Sequence, residues 1–376
     1  MFNFSEIPCI DNHCHPYLFE VDPQHYAPLE SFVGFKDGSP ESNAHRDHML
    51  YNRWAIRELA KFLGVDPTAE AVAKARAAVG DEGAYVTRLF ADEGIKGLVI
   101  DTGYPQPPVD MVEFRKRVPT TLFPVFRIEP LIKALLDERV AEFATFISRY
   151  DSAIRRALRD EGFIAVKSII AYRTGLEIKM EHESDAAGAT GLAAALAKPT
   201  EMMASKPLRD HLLLRALRIC REENVSFHVH TGIGDADIVL ARCNPALLNE
   251  TLKQPGYRDT KVVLIHCYPY VEEASWMAAA LPNVWIDLSE GVPFALVATD
   301  RIFEKGLDLA PINRIFFGTD AFAAPEHTWL GAKLAKQSLA RVLQSFHERG
   351  FIEGSEGYEI AEKILIGNAR DMYLAG

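Results

Sequence analysis

The sequence predicts an α/β protein that folds as a (β/α)8 barrel. Short apolar runs alternate with longer amphipathic segments along most of the 376 residues, which is the pattern of βα units on a parallel sheet. Most of the short runs are nearly continuous in apolar residues, as expected when helices cover the sheet. There are eight such runs, the number of strands that closes this barrel.

The predicted strands follow one another in chain order. They lie around Ile10 and at residues 97–101, 121–128, 163–170, 225–230, 262–267, 284–289 and 314–319. Amphipathic segments such as residues 131–158 and 207–223 separate them and are predicted as helices.

Two longer stretches interrupt this alternation, at about residues 35–92 and 175–222. Both carry helical periodicity instead of the Gly/Ser or Pro composition of a linker. We therefore predict a single domain over residues 1–376. In this domain, the two stretches are helical insertions that cap the C-terminal face of the barrel, where βα loops build active sites.

Composition narrows the classes of partner. The net charge of −11 and the lack of a basic run argue against nucleic acids and anionic membranes. No apolar run approaches the roughly 20 residues of a membrane span, and no signal peptide is readable. The five cysteines are scattered without a C-x-x-C pair, which favours a reduced cytoplasmic setting. We expect a small-molecule substrate and, as for many soluble enzymes, a homodimer.

Residues able to bind a metal stand where four predicted strands end. "DNHCH" places His13 and His15 two residues apart, so they share one face at roughly 6.6 Å along a strand. "FHVHTGIGD" contributes His230, "LIHCYPY" contributes His266 and "FFGTDAF" contributes Asp320. Because the C-terminal ends of barrel strands ring one bowl, these distant residues are predicted to converge.

Histidines and one carboxylate, with a position left for water, are typical ligands of a catalytic divalent ion. We predict that His13, His15, His230 and Asp320 hold this ion. Zinc is the first expectation, with iron, manganese or nickel as alternatives. Asp320 could also accept a proton from the ion's water. His266 could complete a second metal site or polarise a substrate carbonyl.

Six stretches together resemble the amidohydrolase superfamily: "DNHCH", "KSIIAYRTGL", "FHVHTGIGD", "LIHCYPY", "VWIDLS" and "FFGTDAFAAPEHTWLGA". They are most similar to its amidohydrolase-related (amidohydrolase 2) group, which includes the hydrolase-like N-terminal part of fused glutamine-synthetase-like proteins. The resemblance covers nearly the whole chain. It implies a distorted metal-dependent hydrolase barrel with ligands on strands 1, 5, 6 and 8, which here are His13, His15, His230, His266 and Asp320.

The same resemblance bears on the number of metal ions. Some members bridge two ions with a carboxylated lysine from strand 4, the strand that carries Lys167 here. Other members keep one ion and use this lysine differently. We predict one ion, with two as the alternative.

Further residues at the strand ends are predicted to line the site. Arg173 could clamp a substrate carboxylate, although a rim ion pair is an equal alternative. Tyr172 precedes it, and Trp329 after strand 8 could line the pocket or pack its loop. For His228 a packing role is favoured over a ligand role. At Asp101 and Arg127 an internal salt-bridge network is favoured.

These residues predict metal-assisted hydrolysis of a small polar amide, ester or lactone. The ion would acidify its water and Asp320 would take the proton. His266, Lys167 or the ion would stabilise charge on the carbonyl oxygen. The alternatives are a metal-dependent decarboxylase of a small carboxylic acid, a sugar-acid isomerase and a binding barrel without activity.

Overall fold

The computed structural model describes residues 1–19 and 45–374. Its centre is a nine-stranded parallel sheet in the order β9-β1-β2-β3-β4-β5-β6-β7-β8. The strands are β1 (Cys9–Tyr17), β2 (Ile95–Asp101), β3 (Thr121–Arg127), β4 (Ala165–Ser168), β5 (Ser226–His230), β6 (Val262–Ile265), β7 (Val284–Asp287), β8 (Ile315–Phe316) and β9 (Ala321–Ala323).

The eighth predicted strand, residues 314–319, forms a strand only at β8, and β9 follows beyond its predicted end. The strands β8 and β9 pair with opposite edges of the sheet. Between them, the backbone N–H of Asn12 donates to the carbonyl of Phe317 at 3.0 Å. The N–H of Asp320 donates to the carbonyl of His13 at 2.7 Å. This segment therefore joins both edges, and the predicted barrel is confirmed.

Helices cover the outside of the sheet. They are α1 (Leu50–Leu63), α2 (Ala69–Ala77), α3 (Glu82–Asp92), α4 (Met111–Arg117), α5 (Ile128–Asp137), α6 (Phe143–Asp160), α7 (Asp185–Ala197), α8 (Lys206–Glu222), α9 (Asn249–Lys253), α10 (Val271–Ala280), α11 (Thr299–Leu309), α12 (Pro325–Glu348), α13 (Gly354–Glu362) and α14 (Asn368–Tyr373). In α8, the buried residues Leu208, Leu212 and Ala216 recur every four positions. Each buried leucine contributes about 1.5–3 kcal/mol of transfer free energy.

The two interrupting stretches contain helices, as their periodicity predicts. In the first, Phe62 of α1 contacts the ring of Trp329 in α12, and Arg76 of α2 pairs with Glu326. Residues 35–44 of this stretch lie outside the described residues. In the second, α7 packs against α8, and α8 itself packs against β4 and β5 as part of the barrel wall.

The barrel interior is packed beneath the strand ends. Val99, Val125 and Val263 form a buried cluster with Ile366 and Ala369 from the C-terminal segment. The interior is thus a core and not a pore, and the polar groups collect at the C-terminal ends of the strands. Within the described residues, no helix has both the length and the apolar character needed to cross a membrane.

Candidate metal centre

His13 and His15 lie side by side with Asp320 at one end of the barrel. Both histidines are buried in β1, and each Nε2 atom lies 3.2 Å from Oδ1 of Asp320. Asp320 lies between β8 and β9 with a φ of 55°, so the backbone turns there. Nδ1 of His15 lies 3.1 Å from the carbonyl oxygen of Asp101. When Nδ1 donates to this oxygen, the Nε2 lone pair of His15 faces the carboxylate.

His230 and His266 form the neighbouring part of the site. Their ring centroids are 4.5 Å apart, and His266 lies 5.3 Å from the ring of His13. Nδ1 of His266 lies 2.8 Å from Oγ of Ser289, and Nε2 of His230 lies 2.9 Å from the carbonyl oxygen of Ile233. These contacts fix the orientation of both rings.

One glycine allows His230 and His266 to approach each other. Gly232 follows β5 with a φ of +75°, and a Cβ atom there would lie 2.2 Å from the carbonyl oxygen of Tyr268. Because Gly232 has no side chain, the loop after β5 can lie directly against the loop after β6.

Among the described residues, three groups of side chains place their candidate ligand atoms within 4.8 Å of one another. The groups are His13 with His266 and Asp320, His13 with His15 and Asp101, and His230 with His266 and Glu290. Every predicted ligand therefore belongs to one compact cluster. Sequence reasoning missed Glu290, although it follows "VWIDLS" at the end of the seventh predicted strand.

Burial keeps three imidazoles of this cluster neutral, those of His13, His230 and His266. It lowers the pKa of His13 and His266 well below the usual value and that of His230 to about 3. Neutral imidazoles offer lone pairs to a cation. Within the described residues, the buried Oδ1 of Asp320 has no hydrogen-bond donor, although Nε2 of His13 and Nε2 of His15 each lie 3.2 Å from it. Imidazole nitrogens that converge on an unsatisfied carboxylate oxygen are a donor set that fits a divalent ion of the zinc type.

A salt-bridge network adjoins the cluster. Asp101 is fully buried and pairs with Arg127 and, at 3.1 Å, with Nζ of Lys167. Although burial would raise the pKa of Asp101, Arg127 and then Lys167 hold it well below its usual value. The network predicted at the ends of the second and third strands is therefore present, and it reaches Lys167.

A cavity of about 200 Å³ opens onto these residues. Lys167, Tyr172 and Arg173 line it together with the predicted ligands His15, His230, His266 and Asp320. The ring of Tyr172 lies 4.6 Å from that of His230, and its hydroxyl accepts the N–H of Asp235 at 2.9 Å. Residues not singled out from the sequence also line the cavity: Tyr104, Asp235, Asp237, Glu290 and Phe322.

Two residues that were considered for the site, Trp329 and His228, do not line this cavity. The prediction that Trp329 lines the pocket is wrong, because Trp329 is not among the described residues lining the cavity. Its indole is buried and donates to Asp92 at 2.8 Å. The helix α12 directs it towards α1 and α3. His228 lies deeper in the barrel, with Nε2 3.0 Å from Oγ of Ser226, in keeping with packing.

Comparisons with known proteins find a matching family and similar folds. Residues 138–374, well over half of the chain, match the family described as amidohydrolase. Protein fluG of Emericella nidulans is 26% identical over 400 residues. The match covers 97% of this chain but 45% of that relative, so the chain spans about half the length of this curated protein.

Solved structures give the same fold. A protein from Lactobacillus casei, provisionally described as a metal-dependent hydrolase, is 27% identical with a TM-score of 0.85, over 100% of this chain and 98% of its own. A uronate isomerase from Thermotoga maritima is 14% identical with a TM-score of 0.65, over 98% and 95%. The uronate isomerase from Bacillus halodurans has 14% identity and a TM-score of 0.62, over 98% and 92%. At this identity the isomerases show the shared fold alone.

Proposed function

The chain belongs to the amidohydrolase family, and on this basis we propose that it is a metal-dependent hydrolase of an amide, ester or lactone bond in a small polar substrate. One observation carries the proposal. The Nε2 atoms of His13 and His15 face Oδ1 of Asp320 at 3.2 Å, at the base of a cavity large enough for a reacting group.

His13, His15, His230 and Asp320 are the residues that would hold the ion. A divalent ion of the zinc type would polarise the substrate carbonyl and acidify a water molecule. His266 and Glu290 are the donors that a second ion would require.

The protein's own groups would manage the proton and the developing charge. Asp320 would accept the proton of the attacking water and pass it to the leaving group, because its carboxylate reaches the cavity. Nζ of Lys167 and the ring of His266 line the same cavity and would stabilise negative charge on the carbonyl oxygen. Arg173 at its edge would bind a substrate carboxylate.

The test is hydrolysis of N-acyl, γ-glutamyl and lactone substrates by zinc-loaded protein, compared between wild type and two variants. Asp320→Asn should lower kcat by about 100- to 10,000-fold, the range expected for losing a general acid–base. Asp237→Asn is the matched control, because Asp237 lines the same cavity but belongs to none of the ligand groups. Metal content is measured in each protein.

Full activity in metal-loaded Asp320→Asn would contradict the proposed role of this residue. Release of carbon dioxide, or aldose–ketose interconversion, without hydrolysis would contradict the proposed reaction.

A further inference from the structure

A second, larger cavity of about 780 Å³ adjoins the metal cavity. The two cavities share four lining residues, Tyr104, Arg127, Ile169 and Arg173. Small-ligand sites usually measure roughly 300–1,000 Å³, and the first cavity, of about 200 Å³, lies below this range. A substrate whose reacting bond lies at the metal centre would therefore extend into the second cavity.

The second cavity contains arginines that lack an ion pair. Within the described part of the chain, neither Arg173 nor Arg209 lies within ion-pairing distance of a carboxylate. Nε of Arg209 donates to Oγ of Ser205 at 2.8 Å, which leaves the rest of its guanidinium available. Both arginines are half-buried.

Other basic residues around this cavity are already paired: Arg127 with Asp101, Lys133 with Asp137 and Lys198 with Glu201. Arg139 also lacks an ion pair among the described residues, but it is exposed at the outer edge.

Glu129 is the carboxylate whose charge acts on Arg209, and one of its oxygens has other partners. Oε1 of Glu129 accepts from Oγ of Ser168 at 2.7 Å and from the N–H of Ile169 at 2.9 Å. Burial lowers the pKa of Arg209, Glu129 opposes this effect, and the charge of Arg173 adds to it. The charges of Arg173 and Arg209 thus act on each other, and neither guanidinium contacts the carboxylate of Glu129. Half-buried charge of this kind favours an anionic ligand.

We propose that the substrate carries a carboxylate remote from the cleaved bond, and that Arg173 and Arg209 bind this carboxylate in the second cavity. The planar guanidinium matches a carboxylate through two parallel hydrogen bonds. The substrate class is then an elongated amide, ester or lactone with a carboxylate at its far end. This inference rests on the proposed hydrolase function, and Arg209 becomes its specificity-determining residue.

The experiment measures binding, so it needs no known substrate. Zinc-loaded protein is titrated calorimetrically with linear dicarboxylates from succinate to suberate, and with monocarboxylates of the same carbon number. At least one dicarboxylate should bind ten-fold or more tightly than its monocarboxylate. In Arg209→Gln this preference should fall by about ten- to one-hundred-fold, as for losing a charge-assisted pair. Arg209→Lys should keep part of it.

Arg139→Gln is the matched control, because it removes a guanidinium from the exposed edge of the same cavity. It should leave the preference unchanged. Thermal melting and zinc content show that each variant is folded and loaded, and Arg209→Gln keeps a group able to donate to Ser205.

Equal binding of dicarboxylates and monocarboxylates, or a preference that survives Arg209→Gln, would overturn the inference. So would an equal loss in Arg139→Gln, because the cavity would then attract anions without a specific clamp. Failure of the proposed function looks different. The dicarboxylate preference would persist while no amide, ester or lactone is hydrolysed. Conversely, efficient hydrolysis of neutral substrates with no gain from a remote carboxylate would overturn this inference alone.

Discussion

Nζ of Lys167 lies 2.7 Å from Nε2 of His13, and this contact joins the end of β4 to the first histidine pair. The same ammonium lies 3.1 Å from Oδ2 of Asp101. Lys167 therefore donates to an atom that a bound metal ion would use as a ligand. Ion and ammonium compete for one lone pair, and Asp101 is the alternative partner to which the ammonium can turn.

Lys167→Met should therefore bind zinc as tightly as the wild type or more tightly. A divalent ion and an ammonium about 4 Å apart repel by about 8 kcal/mol at an effective dielectric constant of about 20, twice the value for two unit charges. The variant lacks this repulsion. Its kcat should fall about 100-fold, because a group that stabilises the carbonyl oxygen is lost. Zinc titration and steady-state kinetics measure the two effects.

The control for Lys167 is Lys336→Met, another buried lysine, whose Nζ lies 2.6 Å from the carbonyl oxygen of Glu93. It should leave zinc affinity unchanged. If Lys167→Met instead lost one of two bound ions, and bicarbonate raised wild-type activity, then Lys167 would be a carboxylated ligand, against the single-ion prediction.

Gly232→Ala should weaken zinc binding about ten-fold. The new Cβ atom would lie 2.2 Å from the carbonyl oxygen of Tyr268, so the loops that carry His230 and His266 must separate. Gly64→Ala is the matched control, since Gly64 has a φ of +70° but nothing within 4 Å of its added Cβ. It should cost about 1 kcal/mol of stability for the left-handed conformation and leave zinc affinity intact. Equal zinc affinity in both variants would show that loop contact does not position the histidines.

Arg76→Leu should lower the free energy of unfolding by about 3–5 kcal/mol, because it leaves the buried carboxylate of Glu326 without its partner. Both side chains are almost fully buried. Denaturant unfolding measures the change, and the exposed pair of Lys133 and Asp137 supplies the control, since Lys133→Ala should have little effect. The double variant Arg76→Leu with Glu326→Leu should recover part of the loss, and an equal cost in single and double variants would contradict this explanation.

Much of the site could be predicted because its residues occupy strand ends, and a barrel brings strand ends together. The shared orientation of His13 and His15 follows from strand alternation alone, because residues two apart lie on one face of a strand. The short length of β8 and the separate strand β9 could not be predicted, because both depend on the positive φ of Asp320 and on hydrogen bonds to β1.

Trp329 and Glu290 show the limit of strand-end reasoning in opposite directions. Trp329 follows the eighth strand, yet α12 carries its indole away to Asp92. Glu290 follows the seventh strand and does reach the cavity, through a turn with a φ of 61°. The direction of a side chain after a strand depends on tertiary packing that local pattern does not encode. Arg209 was missed for a related reason, since it lies within an amphipathic helix and nothing local marks it as facing a cavity.

The central claim is that His13, His15, His230 and Asp320 form one metal site, and the most direct test is elemental analysis of purified protein after reconstitution with zinc. We expect one tightly held ion per chain. The double variant His13→Asn with His15→Asn should bind zinc more than 100-fold more weakly, beyond the 10- to 100-fold effect of losing an outer hydrogen-bond partner. His182→Asn, at a histidine paired with Asp210 outside the cluster, should bind like the wild type. A reconstituted protein that holds no ion, or a double variant that holds it as tightly as the wild type, would contradict the claim.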